Sequence, residues 1–126
     1  MKLRTYHDLI MAEFKIETSQ ENGVLICRTK GYLDDFAGKA IKESCEKAIS
    51  NGIIAVILNL KDTPVINSTG LSMLLDLVVN VIDYNDGRVE IVGLTNLTRN
   101  ALRMTGVLTL CKEFPTEAEA IAAIKG

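Results

Sequence analysis

The run Ile53-Ile54-Ala55-Val56-Ile57-Leu58-Asn59-Leu60 leaves this chain few choices of fold. It is nearly continuous in apolar residues and rich in β-branched ones, the pattern of a strand buried on both faces. Such a strand is the spine of a sheet. Lys61-Asp62-Thr63-Pro64 after it reads as a loop, because proline removes a backbone donor and keeps Thr63 out of helical space. Asn67, Ser68 and Thr69 follow, and each is a good helix N-cap whose side-chain oxygen can accept from the free N–H groups of a first turn.

That start is also a site for an anion. The free N–H groups and the positive end of the helix dipole would stabilise a phosphate on either hydroxyl, and Gly70 lets another backbone or a ligand come close. Ser68 is the regulated position this pattern suggests, against the simpler reading in which Asn67 and Ser68 only cap a helix. The helix runs to about Tyr84 with a core stripe of Leu71, Leu74, Leu75, Val78 and Ile82, and a polar face of Ser72, Asp76, Asn80 and Asp83. Met73, Leu77 and Tyr84 widen the stripe; they are either an exposed apolar strip for a partner or a packing face for a neighbouring helix.

The flanking elements define the class. Residues 13–17 alternate as a half-buried strand does, Asn22-Gly23 favours a hairpin turn, and a second strand, Val24 to Thr29, pairs back antiparallel. Asp34 or Asp35 caps a helix from Phe36 to Ile49 whose stripe is Ala37, Ala40, Ile41, Cys45 and Ala48. Asn85-Asp86-Gly87 turns into a strand at Val89 to Val92. Thr95 or Asn96 caps a short helix that Gly106 closes; Val107 to Cys111 reads as a last strand. Thr116 and Glu119 have capping-box spacing for a final helix to about Lys125. Two strands followed by strand and helix in alternation imply an α/β fold with a mixed sheet and crossover helices.

At 126 residues there is room for one domain, expected over 13–126, with residues 1–12 as a loose extension and Met11 as an alternative start. Apolar residues at 48% and charged residues at 24% fit an ordinary soluble domain. A net charge of -2 without a basic run argues against nucleic acid and an acidic membrane surface as partners, and no direct membrane insertion is expected. Cys27, Cys45 and Cys111 are odd in number, widely spaced and without C-x-x-C, which points to reduced core residues in the cytoplasm and to no metal site. No secretory leader pattern precedes them.

Catalytic patterns fail one by one, so no enzyme is expected. The single histidine, His7, lies in the extension, which leaves a serine hydrolase without its base. Ile66 stands where a nucleophile elbow needs glycine. There is no phosphate-binding glycine loop and hence no nucleotide cofactor. A receiver domain would need an aspartate at the end of the central strand, where Asn59 sits, and would alternate strand and helix from its first strand.

Four stretches together resemble the STAS domain family, shared by bacterial anti-sigma-factor antagonists and the cytosolic tails of sulphate transporters. They are Gly31-Tyr32-Leu33-Asp34, Val56-Ile57-Leu58-Asn59-Leu60, Ile66-Asn67-Ser68-Thr69-Gly70-Leu71 and Leu102-Arg103-Met104-Thr105-Gly106-Val107-Leu108, in the family's order and at its spacing. The resemblance implies a mixed sheet with about four helices packed largely on one face. It also implies a binding switch: the plain protein binds an anti-sigma factor that is itself an ATPase-like serine kinase, and phosphorylation of the serine in D-S-[ST]-G-L ends that binding. By position the acceptor is Ser68. The partner surface would then comprise Asp34, Asn67, Ser68, Thr69, Gly70, Met73 and Leu77. Asn67 departs from the usual aspartate, which leaves room for a second class, a docking subunit without phosphorylation such as an accessory of a membrane transporter.

Overall fold

Asn22 and Gly23 both adopt positive φ, 50° and 82°, as a two-residue hairpin turn requires. In this computed structural model, which describes residues 14–126, the turn joins β1 (Lys15–Glu21) to β2 (Val24–Lys30) in an antiparallel pair. The expected extension over residues 1–12, with His7 and Met11, lies outside the described residues. Strands β3 (Ala55–Asp62), β4 (Arg88–Val92) and β5 (Lys112–Phe114) then add in parallel, in the order β1-β2-β3-β4-β5. The sheet is mixed and β3 is its centre.

Burial on both faces of β3 accounts for its unbroken apolar run. Val56, Leu58 and Leu60 face one layer, with Leu25, Cys27 and Ile91; Ala55 and Ile57 face the other, with Val24, Ile26 and Val92. Two boundaries differ from the sequence reading. Ile53 and Ile54 precede the strand, and Ile54 is exposed. Lys61 and Asp62, expected in the loop, extend it, because Asp62 pairs with Lys30 and its carbonyl accepts from Gly31 N–H at 3.0 Å.

Helix α1 (Asp35–Ser50), α2 (Ser68–Val79), α3 (Asn96–Thr105) and the one-turn α4 (Val107–Leu110) contribute Ile41, Cys45, Leu74, Val78, Leu102 and Val107 to the first layer. Among the described residues, helix α5 (Glu117–Lys125) alone covers the opposite face, through Ala120 with Ile121 and Ile124. It is also tied there by polar contacts. Arg28 grips Glu117 with two hydrogen bonds of 2.8 and 2.7 Å, Asn59 Nδ2 donates to Glu117 at 2.7 Å, and Arg88 donates to the Ala123 carbonyl at 3.1 Å. Buried Glu90 is satisfied by Arg88 and by the Lys112 N–H, each at 2.9 Å.

Val107 to Cys111, read as a strand, forms a helical turn instead, and the last strand begins at Lys112. Gly106, at φ 84°, ends α3; Val107 and Cys111, four residues apart, are then both buried, which is a helical spacing. Tertiary packing overrides the β-propensity of Val-Leu-Thr-Leu. Helix α2 is rotated relative to its expected stripe. Leu74 and Val78 are in the core as expected, but Gly70, Leu77 and Val81 join them while Leu71, Leu75 and Ile82 are only half-buried. The cause is the approach of α1: a Cβ on Gly38 would lie 2.6 Å from Met73 Cβ. After Val79 the helix widens into a single π turn over Asn80–Tyr84, and Tyr84 is exposed there.

Candidate functional site

The carboxyl ends of β2, β3 and β4 each lead through a short loop into a helix, so the amino ends of α1, α2 and α3 share one end of the sheet. All three are side-chain capped. Asp34 Oδ1 accepts from Ala37 N–H at 2.9 Å, Asn67 Oδ1 from Gly70 N–H at 2.8 Å, and Thr95 Oγ1 from Thr98 N–H at 3.2 Å. The first two loops are joined by main chain: Leu33 N–H donates to the Val65 carbonyl at 2.9 Å and Asn67 N–H to the Leu33 carbonyl at 3.1 Å. Gly70 is required at this junction, since a Cβ there would be 2.6 Å from Leu33 Cδ2 and closer still to the Leu33 carbonyl oxygen.

Asn67 is therefore the cap, and Ser68 is the first residue of the helix. Asn67 Oδ1 also accepts from the Thr69 hydroxyl at 2.8 Å, so of the two adjacent hydroxyls Thr69 is engaged. The Ser68 hydroxyl bonds no described residue and is exposed; its carbonyl accepts from Ser72 Oγ at 3.1 Å. The first turn of α2 holds no acidic residue, so its positive end is not already neutralised from within. An oxyanion attached at Ser68 would meet a helix dipole and no neighbouring carboxylate on its own turn.

The expected surface is only partly assembled here. Asp34, Asn67, Ser68, Thr69 and Gly70 come together across the joined loops, although Gly70 is buried and Asp34 acts as a cap. Leu77 does not face outward: it is 1% exposed within the main core, one turn along the helix from Met73, which meets α1 at Gly38. Met73 is half-buried against Gly38 of α1. Neither forms the open apolar strip that their spacing allowed. Sequence reasoning passed over Phe36 and Leu97, which are 78% and 66% exposed in the first turns of the helices on either side of α2. The available signal was that both fall outside their helices' core stripes.

Asn59 and the three cysteines have structural surroundings. Asn59, at the receiver position, donates to Glu117 and accepts from Lys61 N–H at 3.0 Å, on the side of the sheet that α5 covers. Cys27, Cys45 and Cys111 are free and buried. Hydrogen bonding to Cys27 and burial push the Cys45 thiol far up, and burial with the Glu90 charge pushes Cys111 up to about 12. Cys45 and Cys111 are thus held protonated and unreactive at neutral pH. Among the described residues no cluster of histidine, cysteine or carboxylates could hold a metal, and no helix is long and apolar enough to cross a membrane.

Comparison with known proteins gives this geometry a family. An anti-sigma factor antagonist from Mycobacterium paratuberculosis superposes with a TM-score of 0.77 at 18% identity, covering 90% of this chain and 96% of that one. The anti-sigma factor antagonist SpoIIAA in its unphosphorylated form gives 0.70 at 22% identity, over 90% and 99% of the two chains. The Bacillus cell fate determinant SpoIIAA in the phosphorylated form gives 0.68 at 22%, over 89% and 99%. These likenesses establish a shared fold. No curated protein matches the sequence. The family model described as STAS domain matches residues 15–120, from the first strand into the last helix, and the chain belongs to the STAS domain family.

Proposed function

We propose that this chain is an anti-sigma-factor antagonist: it binds an anti-sigma factor of the ATPase-like serine-kinase type through the surface around Ser68, and phosphorylation of Ser68 ends the binding. It acts by docking, not by catalysis, in the cytoplasm. The observation that carries the reading is the free, exposed Ser68 hydroxyl on the first residue of α2, beside an asparagine that does all the capping. Modifying Ser68 costs no hydrogen bond among the described residues. Phe36 and Leu97 supply apolar anchors on either side for a partner to cover. A phosphate placed between them would be desolvated at the interface without a counter-ion, which makes binding unfavourable.

Asn67 favours a second reading, a STAS docking subunit that is never phosphorylated. A kinase that charge-pairs with an aspartate beside its target finds a neutral side chain here, already holding two donors. One experiment separates the two. The chain is isolated from its own cells with whatever it binds, and its intact mass and phosphopeptides are read. A phosphate at Ser68 in the free pool and none in the complexed pool supports the switch. A partner retained equally by both forms, or a chain never modified, refutes it and leaves docking alone.

A further inference from the structure

Strand β1 is an edge of the sheet, with no neighbour on its outer side among the described residues. The hairpin turn decides which of its backbone groups face outward. In a two-residue hairpin the residues flanking the turn exchange both hydrogen bonds, and the pairs alternate from there. Glu21 opposite Val24, Ser19 opposite Ile26 and Glu17 opposite Arg28 are thus the bonded pairs. Ile16, Thr18 and Gln20 turn both N–H and C=O away from β2.

Those three residues are evenly spaced about Thr18. If a second copy of the strand lies antiparallel with Thr18 facing Thr18, Ile16 stands opposite Gln20 and each outward N–H meets an outward C=O. Shifting the centre to Ile16 leaves Gln20 unpaired; shifting it to Gln20 runs the partner into the Asn22–Gly23 turn. Edge strands ordinarily carry charges that repel another strand. On β1 the cation Lys15 is at one end and the anion Glu21 at the other, so the same register sets Lys15 opposite Glu21 twice. It also sets Thr18 beside Thr18, a favourable cross-strand pair. Every residue of β1 except Ile16 is exposed, so neither α1 on one face nor α5 on the other caps the edge sterically.

We infer that β1 is a self-complementary edge through which a second copy of this chain docks, joining two five-stranded sheets into one across Thr18. The contact is centred on the middle of β1, on backbone groups that the loops around Ser68 do not supply, and does not depend on the proposed switch.

Sedimentation of the 126-residue chain up to about 1 mM measures the dimer directly. Thr18→Pro removes an N–H that the hairpin does not use, which an edge strand tolerates; circular dichroism confirms that the fold is kept. Because both copies lose a donor at the centre, the dimer dissociation constant rises at least about thirtyfold. Lys15→Glu and Glu21→Lys each weaken the dimer about tenfold, and the double charge swap returns it to within about threefold of the native chain. Three results overturn the inference. One is a chain monomeric at about 1 mM, as it would be if its own first thirteen residues filled the edge. The others are a dimer indifferent to Thr18→Pro, and a double swap as weak as its single variants.

Discussion

Replacing Asn67 by alanine and, separately, Ser68 by alanine tests the division of labour at the start of α2. Asn67 Oδ1 accepts from Gly70 N–H and from the Thr69 hydroxyl, both at 2.8 Å. Thr69 is exposed and recovers a water, whereas Gly70 is buried against Leu33 and its N–H is left poorly hydrated. Asn67→Ala therefore falls in the upper half of the usual range for a lost cap, about 1.5 kcal/mol. The Ser68 hydroxyl loses nothing within the protein, and alanine is the better helix former, so Ser68→Ala changes stability by less than about 0.5 kcal/mol, in the favourable direction. In a domain of this size the gap between the two variants corresponds to roughly 6–8 °C in melting temperature. Urea titrations followed by circular dichroism read it as a shift in midpoint at constant slope. Asn67→Asp keeps both hydrogen bonds and adds charge at the positive end of the helix, a gain of about 0.3–1 kcal/mol at low salt that fades as salt is added. If Ser68→Ala costs as much as Asn67→Ala, the serine hydroxyl is holding the fold together, and the case for it as a free acceptor fails.

Leu77→Ala should destabilise the domain by about 2–5 kcal/mol, since its side chain is enclosed in the main core, and equilibrium unfolding measures the loss. Phe36→Ala and Leu97→Ala should each leave stability within about 0.5 kcal/mol while weakening partner capture severalfold in calorimetry; unchanged capture by both would remove them from the docking surface. Hydrogen bonding from Arg28, and then from Asn59, holds the Glu117 carboxyl below the ordinary range against the opposing effect of burial. A carboxyl depressed in the folded state contributes stability that is fully present above about pH 5 and is lost as the pH falls through its folded value. Glu117→Gln should therefore lower stability at neutral pH and flatten the acid limb of a stability curve; an unaltered acid limb would mean the pair has no net effect.

Much of the fold follows from local chemistry that a sequence displays directly. Asn22-Gly23 turns as its residues demand, and Asp34, Thr95 and Thr116 cap the helices assigned to them. The alternation after β2 implies parallel crossovers, and the position of Ser68 follows from its cap neighbours. What escaped depends on packing across long separations. The bond from Arg28 to Glu117 spans 89 residues and that from Asn59 spans 58, and no periodicity announces either. The close approach of α1 at Gly38 decided between the two readings of Met73 and Leu77, and helix packing, not an open strip, is what the fold adopts there. Val107 to Cys111 has strand-like composition, and only the burial of both ends on one side favours a helical turn. Phe36 and Leu97 are single apolar residues in first turns, and their exposure depends on what the neighbouring loops leave uncovered.

The main-chain bonds that join Leu33 to Val65 and Asn67 carry a kinetic consequence. They extend the pairing of β2 and β3 past the ends of both strands, with an isolated parallel bridge between Leu33 and Ile66, so the starts of α1 and α2 cannot open independently. A protein that docks on them meets loops whose conformational entropy was already surrendered on folding, and little remains to be lost on association. Encounter should then proceed at rates set by diffusion and orientation, without a slow rearrangement step. A switch built on such a surface has no loop to reshape. It must work through the charge and bulk of what is attached to it, and so should reverse as soon as the modifying group is removed.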